Sequence, residues 1–276
     1  MMNRFMPAIL ASSFAFIACL TNTYAASLEV TKIPSSIAGN DKELWKQVMA
    51  SFYGKYDRRQ KCWVRKAEGK FWCMRPHTLH RVRDGAASLY FMAIGGGPLG
   101  EANDCHACAG ALGLLVLTDA HPNLGVVAKS ARYMDYGSWG KVPAEESFAV
   151  HRIGAPANFA WAIENGWTGQ GVTATWTDLF GIIGDQVKSI GQLPAGFSDE
   201  GNCDNGVNLS TQEKCTAVSF ETLYAASRTD ETFASIMLKG SGTLKGETFG
   251  QNYTVDFDRT SMSYKEPADF PAALKP

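Results

Sequence analysis

The chain lacks the short motifs that mark many common enzymes. It contains no Gly-x-Ser-x-Gly nucleophile elbow, no His-Glu-x-x-His metalloprotease motif and no phosphate loop ending in Gly-Lys-Ser/Thr. It has no internal repeat and, beyond its first 25 residues, no apolar run long enough to cross a bilayer as a helix. These absences exclude the motif-defined hydrolases, the phosphate-loop enzymes and the repeat proteins as classes for this chain. We also expect no transmembrane segment.

The chain also has little net charge. The formal net charge is −1, whereas domains that bind nucleic acids usually carry a strong positive excess. We therefore expect no nucleic-acid partner.

The first 25 residues have the layout of an export signal. Arg4 forms a short basic head, residues 5–20 are almost wholly apolar, and the small residues Thr23 and Ala25 flank Tyr24. We predict a signal peptide over 1–25 with cleavage after Ala25, and a secreted or periplasmic protein. An alternative is that Cys19 is the lipidated cysteine of a lipobox, which would anchor the protein to a membrane.

The remainder divides into a predicted linker and one predicted domain. Residues 26–40 contain serine, proline and glycine without periodicity, and 41–276 are predicted to form a single disulfide-stapled domain, mainly β. Asn40 or Asp41 caps a predicted helix that Gly54 ends, because the apolar residues between them recur at helical spacing. After it, short β-branched and aromatic runs alternate with glycine-rich turns.

This alternation predicts a fold class. It favours an antiparallel β-sandwich or a barrel-like domain with one N-terminal helix, with an α+β fold as the alternative. Within this pattern, residues 178–190 also fit a short helix, and the polar residues 198–214 are interpreted as a surface loop.

Six cysteines follow the export signal, and they fall into three local pairs. We predict the disulfides Cys62–Cys73, Cys105–Cys108 and Cys203–Cys215, although six cysteines allow fifteen connectivities. A chain of this length can bury a core of its own, so in an oxidising compartment such bridges supplement that core.

The segment Cys105-His106-Ala107-Cys108 is the most specific local motif. Two cysteines separated by two residues can form a redox-active disulfide, and His106 between them would stabilise a thiolate. The catalytic candidates are therefore Cys105, His106 and Cys108. A c-type haem would need histidine where Ala109 stands. Cys105, His106, Cys108 and His121 could supply zinc with sulfur and nitrogen ligands. Adjacent residues such as Cys105 and His106 fit poorly on one metal, and an oxidising compartment favours the disulfide, so we predict no metal and no cofactor.

A second feature is a basic segment at 55–83, which holds ten lysines and arginines against two acidic residues. Aromatic residues lie among these cations, so the segment is a candidate surface for an anionic ligand. The alternative interpretation is a solvated hairpin face. The candidate binding residues are Arg58, Arg59, Lys61, Trp63, Arg65 and Trp72.

Glycines at 95, 96, 97 and 100 mimic a dinucleotide fingerprint, with Asp119 about 20 residues further on. Pro98 and Gly110 disfavour the helix that such a site requires, so we interpret the glycines as a loop between strands.

Together these observations predict an exported, non-catalytic binding or inhibitor-type protein, whose partner is an unknown protein or an anionic surface ligand. The alternative is an exported thiol–disulfide oxidoreductase that uses Cys105 and Cys108.

Overall fold

The computed structural model describes residues 28–67, 69–100, 105, 107–155, 158–224 and 232–274. The fold is mainly β, as predicted, with 59% of the described residues in strands. Among the described residues there is one α-helix, α1, at Asp41–Tyr53, and there are 3-10 turns at Ser35–Ile37, Glu145–Ser147, Glu200–Asn202 and Ala272–Leu274. The strands in chain order are β1 Glu29–Pro34, β2 Lys55–Asp57, β3 Cys62–Ala67, β4 Lys70–Asp84, β5 Ala87–Pro98, β6 Gly110–Thr118, β7 Asn123–Lys129, β8 Met134–Tyr136, β9 Phe148–Arg152, β10 Phe159–Gly169, β11 Val172–Ile183, β12 Gln186–Ser198, β13 Cys203–Asp204, β14 Val207–Asn208, β15 Ala217–Leu223, β16 Ile236–Leu244, β17 Glu247–Phe249, β18 Asn252–Val255, β19 Phe257–Asp258 and β20 Ser263–Tyr264.

Helix α1 begins and ends where the sequence predicts. The side chain of Asn40 accepts a hydrogen bond from the Glu43 N–H at 3.1 Å, which satisfies one of the unpaired donors at the helix start. Gly54 follows the last turn at φ 99°, a conformation that only glycine adopts readily. The apolar side of the helix, which includes Leu44 and Val48, is buried.

The main sheet is an open path of paired strands. Its order is β17-β16-β15-β12-β7-β6-β5-β4-β3-β2, and β9, β10 and β11 join it beside β12. The ladders are antiparallel except for one parallel contact between Gln186 and Lys129. The two end strands of this path, β2 and β17, do not pair with each other, so the strands do not close into a barrel.

Strand β5 lies between two packed layers, so both of its faces are buried. Tyr90, Met92 and Ile94 belong to the core under α1, whereas the alternate residues, such as Phe91, pack with Trp161 of β10. Alternation of side chains along a strand places these two sets on opposite faces. A third core lies between β12, β15, β16 and the C-terminal segment. This layering matches the predicted sandwich.

Three local predictions are wrong. Residues 29–34 of the predicted linker form β1, which pairs with β7. Residues 178–190 form the hairpin of β11 and β12 instead of a helix, because the turn at Gly184 (φ 65°) lies inside the apolar pattern and Ile182 pairs with Val187. The predicted loop at 198–214 contains the short strands β13 and β14.

Candidate functional site

The three predicted disulfides are present, and they differ in exposure. Cys62 and Cys73 are buried between β3 and β4, and Cys203 and Cys215 are half-buried. Both cysteines of the third bridge, Cys105–Cys108, are exposed. Thiol–disulfide exchange requires access of an attacking thiolate to a sulfur atom. Of the three disulfides, Cys105–Cys108 is therefore the one that a thiol in solution can reach most easily.

The predicted binding residues do not form one surface. Trp72 is buried in the core, where its ring stacks on Tyr133 at 4.8 Å and its indole N–H donates to the Ala67 carbonyl. Arg65 is half-buried and donates to the carbonyl of Phe52 near the end of α1. Trp63 is half-buried against Tyr56. These three residues have structural contacts, and Trp72 is not available to an external ligand.

The other three candidates lie on an exposed turn between β2 and β3, which we call the basic turn (residues 58–61). One Asp57 carboxylate oxygen accepts hydrogen bonds from the backbone of Arg59 and Gln60. The guanidinium of Arg75 donates to the carbonyls of Gln60 and Lys61 at 2.8 and 3.1 Å. The turn is thus fixed, and the side chains of Arg58, Arg59 and Lys61 are exposed without an ion pair to any described residue.

Beside the basic turn lies an open cavity of about 520 Å³, which we call the glycine cleft. Gln60 connects it to the basic turn. Among its described lining residues the two that carry a full charge are cations, Arg75 and Lys141. The lining residues that the argument uses are Gln60, Arg75, His77, Gly97, Gly140 and Lys141.

The glycines predicted to form a loop instead end strand β5, and close packing explains two of them. A Cβ at Gly96 would lie 2.1 Å from the carbonyl oxygen of Cys73, and one at Gly95 would lie 2.7 Å from the Val142 side chain. Gly97 differs, because a Cβ there would meet the Gly140 carbonyl oxygen, on the facing wall, at an ordinary 3.5 Å. These three glycines lie in a strand, and none of the described residues between them and β6 belongs to the helix that a pyrophosphate site requires.

A tight turn at residues 138–141 separates the glycine cleft from a second one. Ser138 and Lys141 exchange two backbone hydrogen bonds, of 2.9 and 3.1 Å, and both central residues have positive φ, 54° at Trp139 and 67° at Gly140. We call this the dividing turn. The second cavity, of about 600 Å³, lies beside the β10–β11 hairpin and is called the hairpin cleft. Lys141 lines both clefts.

The hairpin cleft is braced by a hydrogen-bond cluster around Asp178. Its carboxylate accepts from the Tyr136 hydroxyl at 2.6 Å, the Gln192 amide at 2.9 Å and the Trp176 indole N–H at 3.2 Å. Burial, together with this carboxylate, raises the pKa of Tyr136 well above its usual range. The cluster fixes Trp176, which lines the cleft.

Three half-buried histidines lie on β4 and β9. Burial lowers the pKa of His77 and of His80, because the charged imidazolium is disfavoured away from water. Burial and the neighbouring His80 lower the pKa of His151, whose ring stacks on Tyr224 at 4.1 Å. The Nε2 atoms of His77 and His80 are buried without a hydrogen-bond partner among the described residues.

The redox and metal hypotheses find little support in the local geometry. His106 lies outside the described residues. After Cys108 the chain enters strand β6 and not a helix, so the helix N-terminus that lowers a catalytic thiol pKa in thioredoxin-like sites is not formed there. Among the described residues, the one cluster of at least three possible metal ligands is Asp199, Cys203 and Cys215, and its two sulfurs are bonded to each other.

Comparison with protein-family models, with curated proteins and with solved structures finds no match to this chain. No helix among the described residues is long and apolar enough to cross a bilayer. The fold and the site therefore define a mainly β, disulfide-bonded protein with an open, cation-lined cleft.

The sequence indicated only part of this site. The basic segment contains Arg75, but Lys141 lies more than 50 residues downstream of the basic turn. The one sequence feature that points to it is Gly137-Ser138-Trp139-Gly140-Lys141, where two glycines indicate a turn that carries a cation.

Proposed function

We propose that this is an exported, non-catalytic binding protein that takes an anionic ligand in the glycine cleft and across the basic turn. The observation that carries the proposal is the charge of this surface. Arg75 and Lys141 line the cleft, and Arg58, Arg59 and Lys61 extend the positive surface beyond Gln60. Clustered cations attract an anionic ligand and raise its rate of association.

The contacts of Arg75 are compatible with this role. Its guanidinium donates to two neutral backbone carbonyls, and no carboxylate of the described residues pairs with it. Guanidinium groups retain their proton in proteins and present several donors to carboxylates, sulfates or phosphates. The residue thus fixes the basic turn and contributes charge to the cleft.

The proposed export rests on two features. The first 25 residues have the layout of a signal peptide, and three disulfides fit an oxidising compartment.

Charge reversal with a matched control tests the proposal. The triple variant Arg58→Glu, Arg59→Glu, Lys141→Glu should elute from a heparin matrix at a clearly lower salt concentration than the wild type. The control Lys188→Glu, Arg259→Glu, Lys265→Glu makes the same change in net charge at exposed residues outside both clefts. Equal loss in both variants would mean that retention follows net charge alone, and the proposed site would be wrong.

The exposure of Cys105 and Cys108 favours a second candidate, a thiol–disulfide oxidoreductase. In that reaction a thiolate of the reduced pair attacks a substrate disulfide, and the second cysteine releases the substrate as a dithiol while the Cys105–Cys108 bond forms. A dithiol reductant then regenerates the enzyme. Insulin reduction with dithiothreitol, by wild type and by the Cys105→Ser, Cys108→Ser variant, tests this candidate. Turnover that disappears in a folded variant would support it, and equal background rates would exclude it.

A further inference from the structure

The glycine cleft exists because two residues of β5 that line it have no side chain. Gly95 pairs with Arg75 of β4, and Gly97 pairs with Cys73. Residues directly opposite each other in an antiparallel ladder present their side chains on the same face of the sheet. The two glycines therefore leave a depression beside Arg75, and the backbone of β5 forms the bottom of the cleft.

Four half-buried side chains that carry no polar group line the cleft, and we call them the apolar wall. They are Pro76, Pro98, Leu99 and Val142. The Val142 side chain lies close to Gly95, since a Cβ on this glycine would come within 2.7 Å of it. A ligand that contacts the apolar wall removes its own apolar surface from water, and this stabilises the complex.

The two cations of the cleft are more exposed than the apolar wall. Arg75 and Lys141 are exposed, as is the amide of Gln60 beside them. The guanidinium of Arg75 makes two hydrogen bonds to backbone carbonyls, which leaves three of its five N–H donors for a ligand. The cleft therefore has positive charge at its opening and apolar groups further inside.

The one histidine among the described lining residues leaves the inside of the cleft uncharged at neutral pH. Burial lowers the pKa of His77 below its ordinary value, and this outweighs the opposite effect of the nearby Glu145 and Glu146. Neither glutamate lines the cleft, and no acidic residue is among its described lining residues. An apolar group inside the cleft therefore meets no buried charge.

The volume of the cleft indicates one small ligand. It is about 520 Å³, and sites of roughly 300–1,000 Å³ typically hold one drug-sized molecule on a mostly apolar lining with a few polar groups that orient it. The apolar wall and the two cations match this pattern. An inorganic anion would contact the cations and leave the apolar wall without a partner.

We propose that the ligand of the glycine cleft is a small organic acid with an apolar body. The body lies against the apolar wall, and the acidic group meets Arg75 and Lys141 at the opening. The ligand does not extend past the dividing turn, because the carboxylate of Glu164 lines the hairpin cleft on the other side. This inference rests on the proposed function and specifies its ligand class.

Three probes separate the two parts of this ligand. Anilinonaphthalene sulfonate carries apolar rings and an anion, phenylnaphthylamine carries the same rings without the charge, and inorganic sulfate carries charge without an apolar body. We expect the wild-type protein to bind the sulfonate dye most tightly, the neutral dye more weakly and sulfate least. Fluorescence titration measures both dyes and calorimetry measures sulfate, all at one salt concentration, because electrostatic affinities change with ionic strength.

The variant Lys141→Gln removes one cation from the opening of the cleft. We expect the affinity for the sulfonate dye to fall by about threefold, as for loss of an exposed ion pair, and the affinity for the neutral dye to stay the same. The control Lys188→Gln removes an exposed cation that lines neither cleft, and it should change neither affinity.

The variant Leu99→Ala removes part of the apolar wall, and Leu99 lines the glycine cleft but not the hairpin cleft. We expect the affinities for both dyes to fall by about fivefold, because both lose the same apolar contact. The control Leu223→Ala truncates an exposed leucine outside both clefts and should change neither affinity. The melting temperature of each variant establishes that it is folded.

The contrary outcomes distinguish this inference from the proposed function. If the wild type binds the sulfonate dye no more tightly than sulfate, or if folded Leu99→Ala binds the dye unchanged, the inference is wrong. Retention on heparin that depends on the basic turn and Lys141 would still support the proposed function. If the two dyes bind equally well and Lys141→Gln changes neither affinity, the cleft does not select anions, and both proposals are wrong.

Discussion

The backbone N–H of Gly140 donates a 2.7 Å hydrogen bond to the carbonyl oxygen of Cys108. This bond joins the exposed disulfide to the dividing turn. Gly110, two residues after Cys108, also packs closely there, because a Cβ on it would lie 2.5 Å from the carbonyl carbon of Lys141. The Cys105–Cys108 segment therefore supports the wall that positions Lys141.

The difference in exposure predicts the order in which the disulfides are reduced. With limiting dithiothreitol, the exposed Cys105–Cys108 bridge should open first and the buried Cys62–Cys73 bridge last, because exchange requires access to a sulfur. Alkylation of the new thiols followed by peptide mass analysis gives the order. Early alkylation of Cys62 or Cys73 in the folded protein would contradict the prediction.

A larger side chain at Gly97, which lines the glycine cleft, should block that cleft. Gly97→Ala should be tolerated, whereas Gly97→Leu should place a side chain in the cleft and weaken retention on heparin with little change in melting temperature. Gly96→Ala is the contrasting variant. Its Cβ would lie 2.1 Å from a backbone oxygen, so we expect a loss of about 1–3 kcal/mol of stability. Unchanged retention by Gly97→Leu would show that the ligand does not enter this cleft.

The Asp178 cluster should contribute strongly to stability. In Asp178→Asn, one carboxylate oxygen becomes an amide donor. Tyr136 and Trp176 donate to one oxygen and Gln192 donates to the other, so either that pair or Gln192 then faces a donor. An unpaired buried polar group costs about 1–3 kcal/mol, which for a protein of this size lowers the melting temperature by roughly 2–4 °C per kcal/mol.

Asp135→Asn, at an exposed neighbour of Tyr136, is the matched control for that change and should be close to neutral. Equal melting temperatures for the two variants would mean that the cluster does not stabilise the fold. Thermal denaturation followed by circular dichroism makes the comparison.

The half-buried histidines predict a loss of stability on mild acidification. The folded-state pKa values of His77, His80 and His151 lie below the ordinary value of 6.5. As the pH falls through 6.5 the unfolded chain binds protons that the folded protein does not, so the free energy of unfolding decreases. The decrease is complete only below the folded-state pKa values.

Urea denaturation between about pH 7.5 and about pH 5 measures this effect, in a range above that in which most carboxylates titrate. His80→Phe keeps a planar ring, removes one buried imidazole and should reduce the slope. A slope that stays the same in this variant, or a wild-type stability that is constant over the range, would refute the prediction.

The local features of the fold are predictable because they depend on neighbours in the chain. The cap at Asn40, the apolar spacing after it and Gly54 define α1 without reference to the rest of the molecule. The local disulfides follow from short separations in sequence. The alternation of strands and turns indicates a mainly β fold for the same reason.

The burial of particular aromatic residues was not predictable in this way. Trp72 lies in a segment rich in cations, and composition alone placed it on the surface, whereas α1 and Tyr133 cover it.

Residues 29–34 were predicted as linker because they have no strong periodicity. They form a strand because they pair with residues 123–126 of β7, on a stretch that β12, which contacts β7 at Lys129, leaves unpaired.

The sequence by itself determined the strand-rich class, the single helix, the local pairing of cysteines and the charge of the basic turn, since each depends on residues close together in the chain. Only the tertiary structure decided that Gln60, Arg75, Gly97 and Lys141 share one cleft. The physical reason is that strand pairing and layer packing join segments far apart in sequence, and the register of that pairing is set by the whole core rather than by any one segment.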